Sequence, residues 1–430
     1  MNALESRTMR KVTWRLVPFL MACYFIAYLD RVNVAFAGPS MMEDLGLTAA
    51  AFGGAAGIFF IAYFFFEVPS NLALNKFGAR VWISRIMVTW GVISGAQAFV
   101  TGEVSFYVIR LLLGIAEAGF FPGIIFYMTL WFPAAYRARI IGLFMFAIPV
   151  STVIGSPISG FILDLHGALG LQGWQWIFLI EALPAIIMAV GVLVYLTNRP
   201  AEADWLTDEE KTWLQGRLDD ERKTREAHFK KDWFRSAFNM RVMALGLVYM
   251  ATNIPQYGLS FFLPQIIKEF GVSDIKAGFI ATLPYLAGGL GMIIWSRNSD
   301  RTGERVWHCI IPFIAMIIGL GAAALADSLL LKMALLCVAA WGFFSVLPVF
   351  WTLPTSFLSG AGAAAGIAAV NSIGNLGGYI GPQIFGLLKT TTQTDSAGLA
   401  FLAAVAAAGG LLVWLLGHNP DLENPDGRRG

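Results

Sequence analysis

Twelve times along the chain, an apolar run closes at a cluster of turn-forming or charged residues. Crossing the hydrocarbon core of a bilayer takes roughly 20 consecutive apolar residues in a helix. In the first half the runs fall at 17–38, 51–74, 81–101, 104–131, 138–164 and 174–197. In the second half they fall at 241–268, 276–296, 306–326, 329–353, 361–388 and 397–417. One aqueous core could not use so much apolar surface. The sequence is 57% hydrophobic and 13% charged, against roughly 45–50% and 25% in soluble domains. The expected fold is therefore an all-α integral membrane protein with 12 transmembrane helices in two six-helix bundles.

The sixth and seventh runs are separated by the one long polar stretch, Asn198 to Met240. Its Thr207-x-x-Glu210 spacing predicts a capping box opening a short surface helix. The chain thus divides into an amino-terminal bundle (1–197), a linker (198–240) and a carboxyl-terminal bundle with its tail (241–430). The first run is too long for a signal peptide and has no small-residue cleavage site after a short apolar core, so it is expected to be retained.

Basic residues set the orientation. Of 30 lysines and arginines, 24 fall at the amino terminus, in alternate loops and in the tail. The other side holds Lys268, Lys276, Lys332 and Lys389. The positive-inside rule then places both termini and the linker in the cytoplasm, with the protein in the cytoplasmic membrane. The loop at Ser359-Gly360-Ala361 carries no basic residue and is the weak point of that pattern. Cys23, Cys309 and Cys337 all lie in apolar runs and read as free thiols.

Only two basic residues remain, Arg31 and Arg110, and both lie inside predicted helices. Arg31 follows Asp30 in Tyr28-Leu29-Asp30-Arg31, an acid and a base planted in the first run. An ionisable side chain within a membrane is costly and marks function by default. Asp30 stands about 21 Å along the first helix, and Arg110 about 10 Å from the opposite surface along the fourth. In a core of roughly 30 Å these depths nearly coincide. Glu117, seven residues after Arg110, shares its helix face two turns deeper. Arg110, Glu117 and Asp30 therefore form a possible ladder of opposite charges. The alternative is that Asp30–Arg31 and Arg110–Glu117 are static pairs that pin the first helix to the fourth.

The second half offers neutral groups instead: Asn253, Gln256 and Tyr257 on the seventh helix, Tyr285 on the eighth, and Asn371 and Asn375 on the eleventh. Asn371 and Asn375 are one turn apart and share a face. They could bind substrate or simply hold helices together. Glu67, just before Pro69 in the cytoplasmic half of the second helix, could cap or gate or be structural, and Glu181 reads as structural, near the outer surface. His166 and His308 fall at membrane edges without a second metal ligand at helical spacing.

An internal repeat relates the halves. Asn75-Lys76-Phe77-Gly78-Ala79-Arg80 follows the second helix, and Asp300-Arg301-Thr302-Gly303-Glu304-Arg305 follows the eighth. Lys76, Gly78, Arg80, Asp300, Arg301, Gly303 and Arg305 read as two cytoplasmic latches. Gly155-Ser156-Pro157 and Gly381-Pro382 sit at equivalent places in the fifth and eleventh helices. Parallel six-helix repeats describe a transporter that rocks around a central site.

These features resemble the major facilitator superfamily, with Asn75 standing where the first loop motif usually has aspartate. Four stretches narrow the resemblance to its anion:cation symporter branch, including tartrate and hydroxyphenylacetate permease-like members. They are Ala27-Tyr28-Leu29-Asp30-Arg31-Val32-Asn33, Phe66-Glu67-Val68-Pro69-Ser70-Asn71, the run from Gly114 to Gly123, and Gly173-Trp174-Gln175-Trp176-Ile177-Phe178. The resemblance implies uptake of an organic anion with protons and points to Asp30, Arg31, Arg110 and Glu117.

Elementary electrostatics gives such coupling a route. Burial favours the neutral form of a carboxyl group, and a neighbouring guanidinium favours the charged form. An anion that takes over the guanidinium would promote proton binding, and the reverse follows by linkage. Asp30 and Glu117 are then the expected proton sites. Arg31 and Arg110 are the anion contacts, with Tyr28, Asn253, Gln256, Tyr257, Asn371 and Asn375 as further substrate contacts. The expected partners are a small organic anion, protons and the lipid bilayer, with no nucleic acid, no cofactor and no metal, and the chain is expected to act as a monomer. No enzyme constellation appears, and no Gly-x-x-x-x-Gly-Lys-Ser/Thr phosphate loop supports ATP-driven transport. The competing readings are a non-transporting receptor for an organic acid and a proton-antiport exporter. The exporter has only the partial Gly-x-Pro-x-x-Gly pattern from Gly155 to Gly160 in its favour.

Overall fold

The computed structural model describes residues 3–228, 240–353 and 360–417. Residues 229–239 of the linker, the Ser359 side of the tenth loop and the tail from 418 lie outside the described residues. The first half contains α1 (Ala3–Leu45), α2 (Ala49–Phe77), α3 (Ala79–Ala96), α4 (Glu103–Glu117), α5 (Phe120–Thr129), α6 (Ala134–Met145), α7 (Ala147–Leu163) and α8 (Gly173–Tyr195). Helix α9 (Asp208–His228) follows. The second half contains α10 (Met240–Lys268), α11 (Asp274–Thr302), α12 (Val306–Ala323), α13 (Leu329–Phe350), α14 (Gly360–Asn375), α15 (Gly377–Thr392) and α16 (Ser396–Leu416).

Twelve spans account for all of these but α9, because α4–α5, α6–α7 and α14–α15 are each one span broken in the middle. Among the described residues, nine helical stretches are long and apolar enough to cross a membrane. The remaining three spans have visible reasons for falling short. Helix α3 carries Arg80 and Arg85, α10 carries Asn253, Gln256 and Gln265, and α14 and α15 are only 16 residues each. Side chains such as Ile187, Leu290 and Ile294 stay exposed on the rim, as lipid-facing apolar residues must.

The break in the fourth span follows from its sequence. Gly119 takes a positive φ of 87°, open to glycine at little cost. Pro122, in the first turn of α5, lacks the N–H that would bond back to the carbonyl of Ala118. The helix therefore stops at Glu117 and restarts at Phe120, which leaves Glu117 in the last turn of α4. Discontinuous helices recur at the binding sites of transporters.

The repeated loops also have a backbone reason for their glycines. Gly78 closes α2 with φ 88°, and Gly303 closes α11 with φ 71°. Past the glycine the two loops diverge. Asp300 pairs with Arg305 at 2.8 Å, whereas Asn75 has no charge to offer Arg80. The backbone N–H of Arg80 instead donates to Asn198 Oδ1 at 3.1 Å. Lys76 and Arg301 are exposed. In the second loop the Glu304 carboxylate accepts from the backbone N–H groups of Trp307 and His308 at 2.6 and 3.0 Å, capping α12. His308 contacts Glu304 and Asn298 through its two ring nitrogens.

Within the first half, α3 packs on α8, α2 on α4, and α1 on α7 and α8. In the second half α12 packs on α13 and α16, and α10 on α14, α15 and α16. The halves meet where α2 crosses α15, α7 crosses α11, and α1 approaches α10. A side chain at Gly53 would run into the carbonyl of Pro382, and one at Gly278 into the carbonyl of Ser156. Ala50 N–H donates to Thr390 Oγ1 at 2.9 Å along the same seam. The contacts at Gly53, Gly278 and Ala50 lie toward the helix ends remote from α9, so the halves are packed together on that face.

Helix α1 begins about four turns earlier than its apolar run. The extension docks on α9, with Glu210 accepting from Arg7 at 3.1 Å and from Lys11 at 2.9 Å. The expected capping box is present: Thr207 N–H donates to Glu210 Oε2 at 3.0 Å, and Glu210 N–H to Thr207 Oγ1 at 3.3 Å. Arg137 pairs with Glu221 at 2.9 Å, and Trp131 stacks on Trp205. The surface helix is thereby fastened to the first bundle.

Burial pushes the Glu210 carboxyl up, but bonds from Lys11 and Thr207 and the charges of Lys11 and Arg7 outweigh it, so the group sits below its ordinary value. A lowered carboxyl contributes stability at pH above its ordinary value of 4.5 and loses it as pH falls through the bound value. Hydrogen exchange across α9, corrected for intrinsic rates, is expected to rise as pH drops below that value. In Glu210→Gln it is expected to be high already at neutral pH and to vary little with acidification.

Candidate functional site

Between the halves, near mid-depth, lies a cavity walled by both bundles. From the first come Tyr24, Tyr28, Arg31, Phe59, Tyr63 and Glu67; from the second come Asn253, Gln256, Tyr257, Trp351, Asn371 and Asn375. The cation and its aromatic neighbours thus come from one side, and the neutral amides from the other. All seven second-half and first-half contacts expected to reach substrate, apart from Arg110, are on this wall.

Arg31 is the cation that the cavity sees. Its guanidinium stands 5.4 Å from the centre of the Phe59 ring and 5.7 Å from that of Tyr63. It donates to Glu117 Oε1 across the interface of α1 and α4. The side chain of Arg31 is 12% exposed and that of Glu117 is fully buried. The pair therefore has one end at the cavity and the other in the protein interior.

The sequence ladder expected Glu117 to work with Arg110, its neighbour on α4. The structure gives Glu117 to Arg31 instead. Arg110 is fully buried behind the Phe59 ring, 5.1 Å from its centre, and donates to the Ala56 carbonyl at 3.1 Å. Its Nε and one terminal nitrogen have no partner among the described residues. Arg110 still acts electrostatically on both Asp30 and Glu117. It balances their charge from behind rather than facing the cavity.

Asp30 also turns away from the cavity. It accepts from the Ser94 hydroxyl of α3 and from Asn33 Nδ2, the latter at 3.2 Å. Neither partner was singled out from the sequence. Asn33, one turn after Asp30, carried a visible signal as the lone polar residue in an apolar run. Ser94 carried none, because serine is common in membrane helices.

Two further acids of the first half are placed by the structure. Glu181, expected near the outer surface, is 2% exposed and accepts from the Ser159 hydroxyl at 2.7 Å. Glu67 lines the cavity together with Tyr63, a position compatible with the gating alternative. In the second half, Asn253 Nδ2 donates to the Gly374 carbonyl at 3.0 Å and so ties α10 to the end of α14. Tyr257 packs on Phe60 at 4.6 Å between ring centres. Tyr28 is buried beside Tyr24 on the cavity wall, and Tyr285 packs near Phe344. No group of three or more potential metal ligands occurs among the described residues.

This architecture matches known proteins throughout its length. The family model described as the Major Facilitator Superfamily matches residues 20–382 and 245–430. The chain belongs to the Major Facilitator Superfamily. It is 50% identical over 418 residues to a protein named putative tartrate transporter from Agrobacterium vitis, covering 97% of this chain and 93% of that one. It is 43% identical to a quinolone resistance transporter from Acinetobacter baumannii, covering 96% and 95% of the two chains. Among solved structures, a bacterial homologue of the human lysosomal transporter Spinster, inward-facing and occupied, superposes with a TM-score of 0.74 at 16% identity, covering 93% and 96%. That likeness speaks for the fold. This facilitator is a multi-pass membrane transporter and not an enzyme.

With all four groups ionised, Asp30 and Glu117 balance Arg31 and Arg110. Removing one member of a buried charge network typically costs about 3–5 kcal/mol, because the remaining charge is left uncompensated. Arg110→Gln is expected to lower the melting temperature of the purified protein clearly. Adding Asp30→Asn restores neutrality, so the double variant is expected to melt above the single one rather than below it. Additive losses would show that the two residues act separately.

Proposed function

We propose that this facilitator imports a small organic anion together with protons by alternating access of the central cavity. The single observation that carries the reading is the Arg31–Glu117 pair, which spans from the cavity wall to the buried interior. An incoming carboxylate competes with Glu117 for Arg31. A buried carboxylate left without its cation costs several kcal/mol and takes up a proton instead. Anion and proton then bind together and leave together, as linkage requires.

The remaining residues fit this division of labour. Arg31 and Tyr28 hold the anionic end, while Gln256, Asn371 and Asn375 face hydroxyl or carbonyl groups at the other end. Asn253 supports this wall through its bond to Gly374. Arg110 and Asp30 set the electrostatic background, with Asp30 as a second proton site. The relative named for tartrate supports a carboxylate as cargo. The excess of basic residues on the α9 side supports cytoplasmic termini. On that orientation the closed seam faces outward and the latch loops face the cytoplasm. The membrane is then the cytoplasmic one, and a monomer suffices because the cavity is complete within one chain.

A second reading has one finding in its favour. The relative named for quinolone resistance supports an exporter driven by proton antiport. The direction of coupling separates the two.

The test is uptake of labelled tartrate into proteoliposomes with the outside acidified. The wild type is expected to accumulate the anion and to lose it when an uncoupler collapses the gradient. Glu117→Gln is expected to keep tartrate exchange at equal pH but to lose accumulation. Full accumulation by Glu117→Gln would overturn the assignment of that residue. A gradient that expels a fluoroquinolone while leaving tartrate untouched would favour the exporter.

A further inference from the structure

In the first bundle the mechanism leaves the buried acid Glu181 unused. Glu181 lies in α8, which packs against α1, α3 and α7. Like Asp30 and Asn33 it is almost fully inaccessible, at 2%, 0% and 0% exposure. Ser159 of α7 donates to its Oε1. From α1, Asp30 acts on it as a charge and the Asn33 side chain as a polar neighbour. Asn33 meanwhile donates to Asp30 at 3.2 Å, so the amide that acts on Glu181 is itself bonded to Asp30. Asp30 in turn faces Ser94 of α3 and both Glu117 and Arg110 of α4.

Within this group the acceptors outnumber the donors. Asp30 Oδ2, Asn33 Oδ1 and Glu181 Oε2 are all buried and without a partner among the described residues. A buried acceptor without a donor costs about 1–3 kcal/mol, and more when charged. Two like charges in one buried site raise that cost further. Arg31 is engaged with Glu117, and Arg110 answers to Asp30 and Glu117, so no cation is given to Glu181. A proton on one carboxyl removes a charge and supplies a missing donor in the same step.

We propose that Glu181 is a further proton-binding group linked to Asp30 through Asn33, so that these two carboxyls titrate as a pair. Glu181 does not touch the cavity. It acts through Asp30 as a positioning residue that sets the pH at which Asp30 changes its protonation. The importance of this for transport rests on the symport reading; the pairing itself does not.

Infrared titration of the purified full-length protein tests the pairing without any substrate. The protonated-carboxyl band lost in Asp30→Asn identifies Asp30, and the band lost in Glu181→Gln identifies Glu181. Each variant is expected to displace the other group's midpoint by the same amount, on the order of one pH unit for strongly interacting sites. Asn33→Ala keeps both bands and is expected to shrink the displacement. A Glu181→Gln protein that loses no band, or leaves the Asp30 midpoint in place, would overturn the proposal. A merely structural Glu181 would lower the melting temperature without moving that midpoint. Should Glu181→Gln not fold, Ser159→Ala removes its hydroxyl donor and keeps the carboxyl. An unmoved Asp30 band in that variant would overturn the proposal equally.

Discussion

A charge inside a bilayer must be answered by another charge, and the ion pair between Arg31 and Glu117 is where this protein meets that demand in view of its cavity. The pair joins α1 to α4 at the point where the fourth span breaks. The break is what turns a helix end toward the site. Behind it, Arg110 and Asp30 complete a neutral set, each held by groups on other helices: Ala56 of α2 and Ser94 of α3. The first bundle is therefore arranged around four charges that none of its helices could carry alone.

The second bundle has no matching charges among its described cavity residues. It supplies amides and aromatic rings, and its helix α10 closes on α14 through Asn253. This asymmetry separates two tasks. On the proposed symport, coupling chemistry would belong to one half, and much of the neutral recognition surface to the other. The seam at α2–α15 and α7–α11 is built from glycines and backbone carbonyls. The glycines let the two halves approach this closely, with Thr390 adding one side-chain hydrogen bond across the seam.

Much of this architecture is legible in the amino-acid sequence. Run lengths located the twelve spans, and Thr207-x-x-Glu210 located the start of α9. Gly78 and Gly303 stood out because the same loop pattern recurs in both halves, and each takes a positive φ. The four intramembrane charges announced themselves by their cost. What stayed hidden was partnership between helices. Sharing a helix face places Glu117 under Arg110, yet the rotation of α1 against α4 hands Glu117 to Arg31. Glu181 looked superficial because Trp174 and Trp176 precede it. Its burial depends on how α8 packs against α1 and α7, which no local pattern encodes. The break at Gly119 was likewise lost inside a continuous apolar run.

The account turns on anion binding at Arg31 drawing a proton into the protein. Proton uptake by the purified transporter, recorded with a pH indicator in weak buffer as tartrate is added, measures this directly. The account predicts uptake of protons on binding by the wild type, and a clear loss of that uptake in Glu117→Gln. Saturable tartrate binding with no proton uptake, or with proton release, would contradict it.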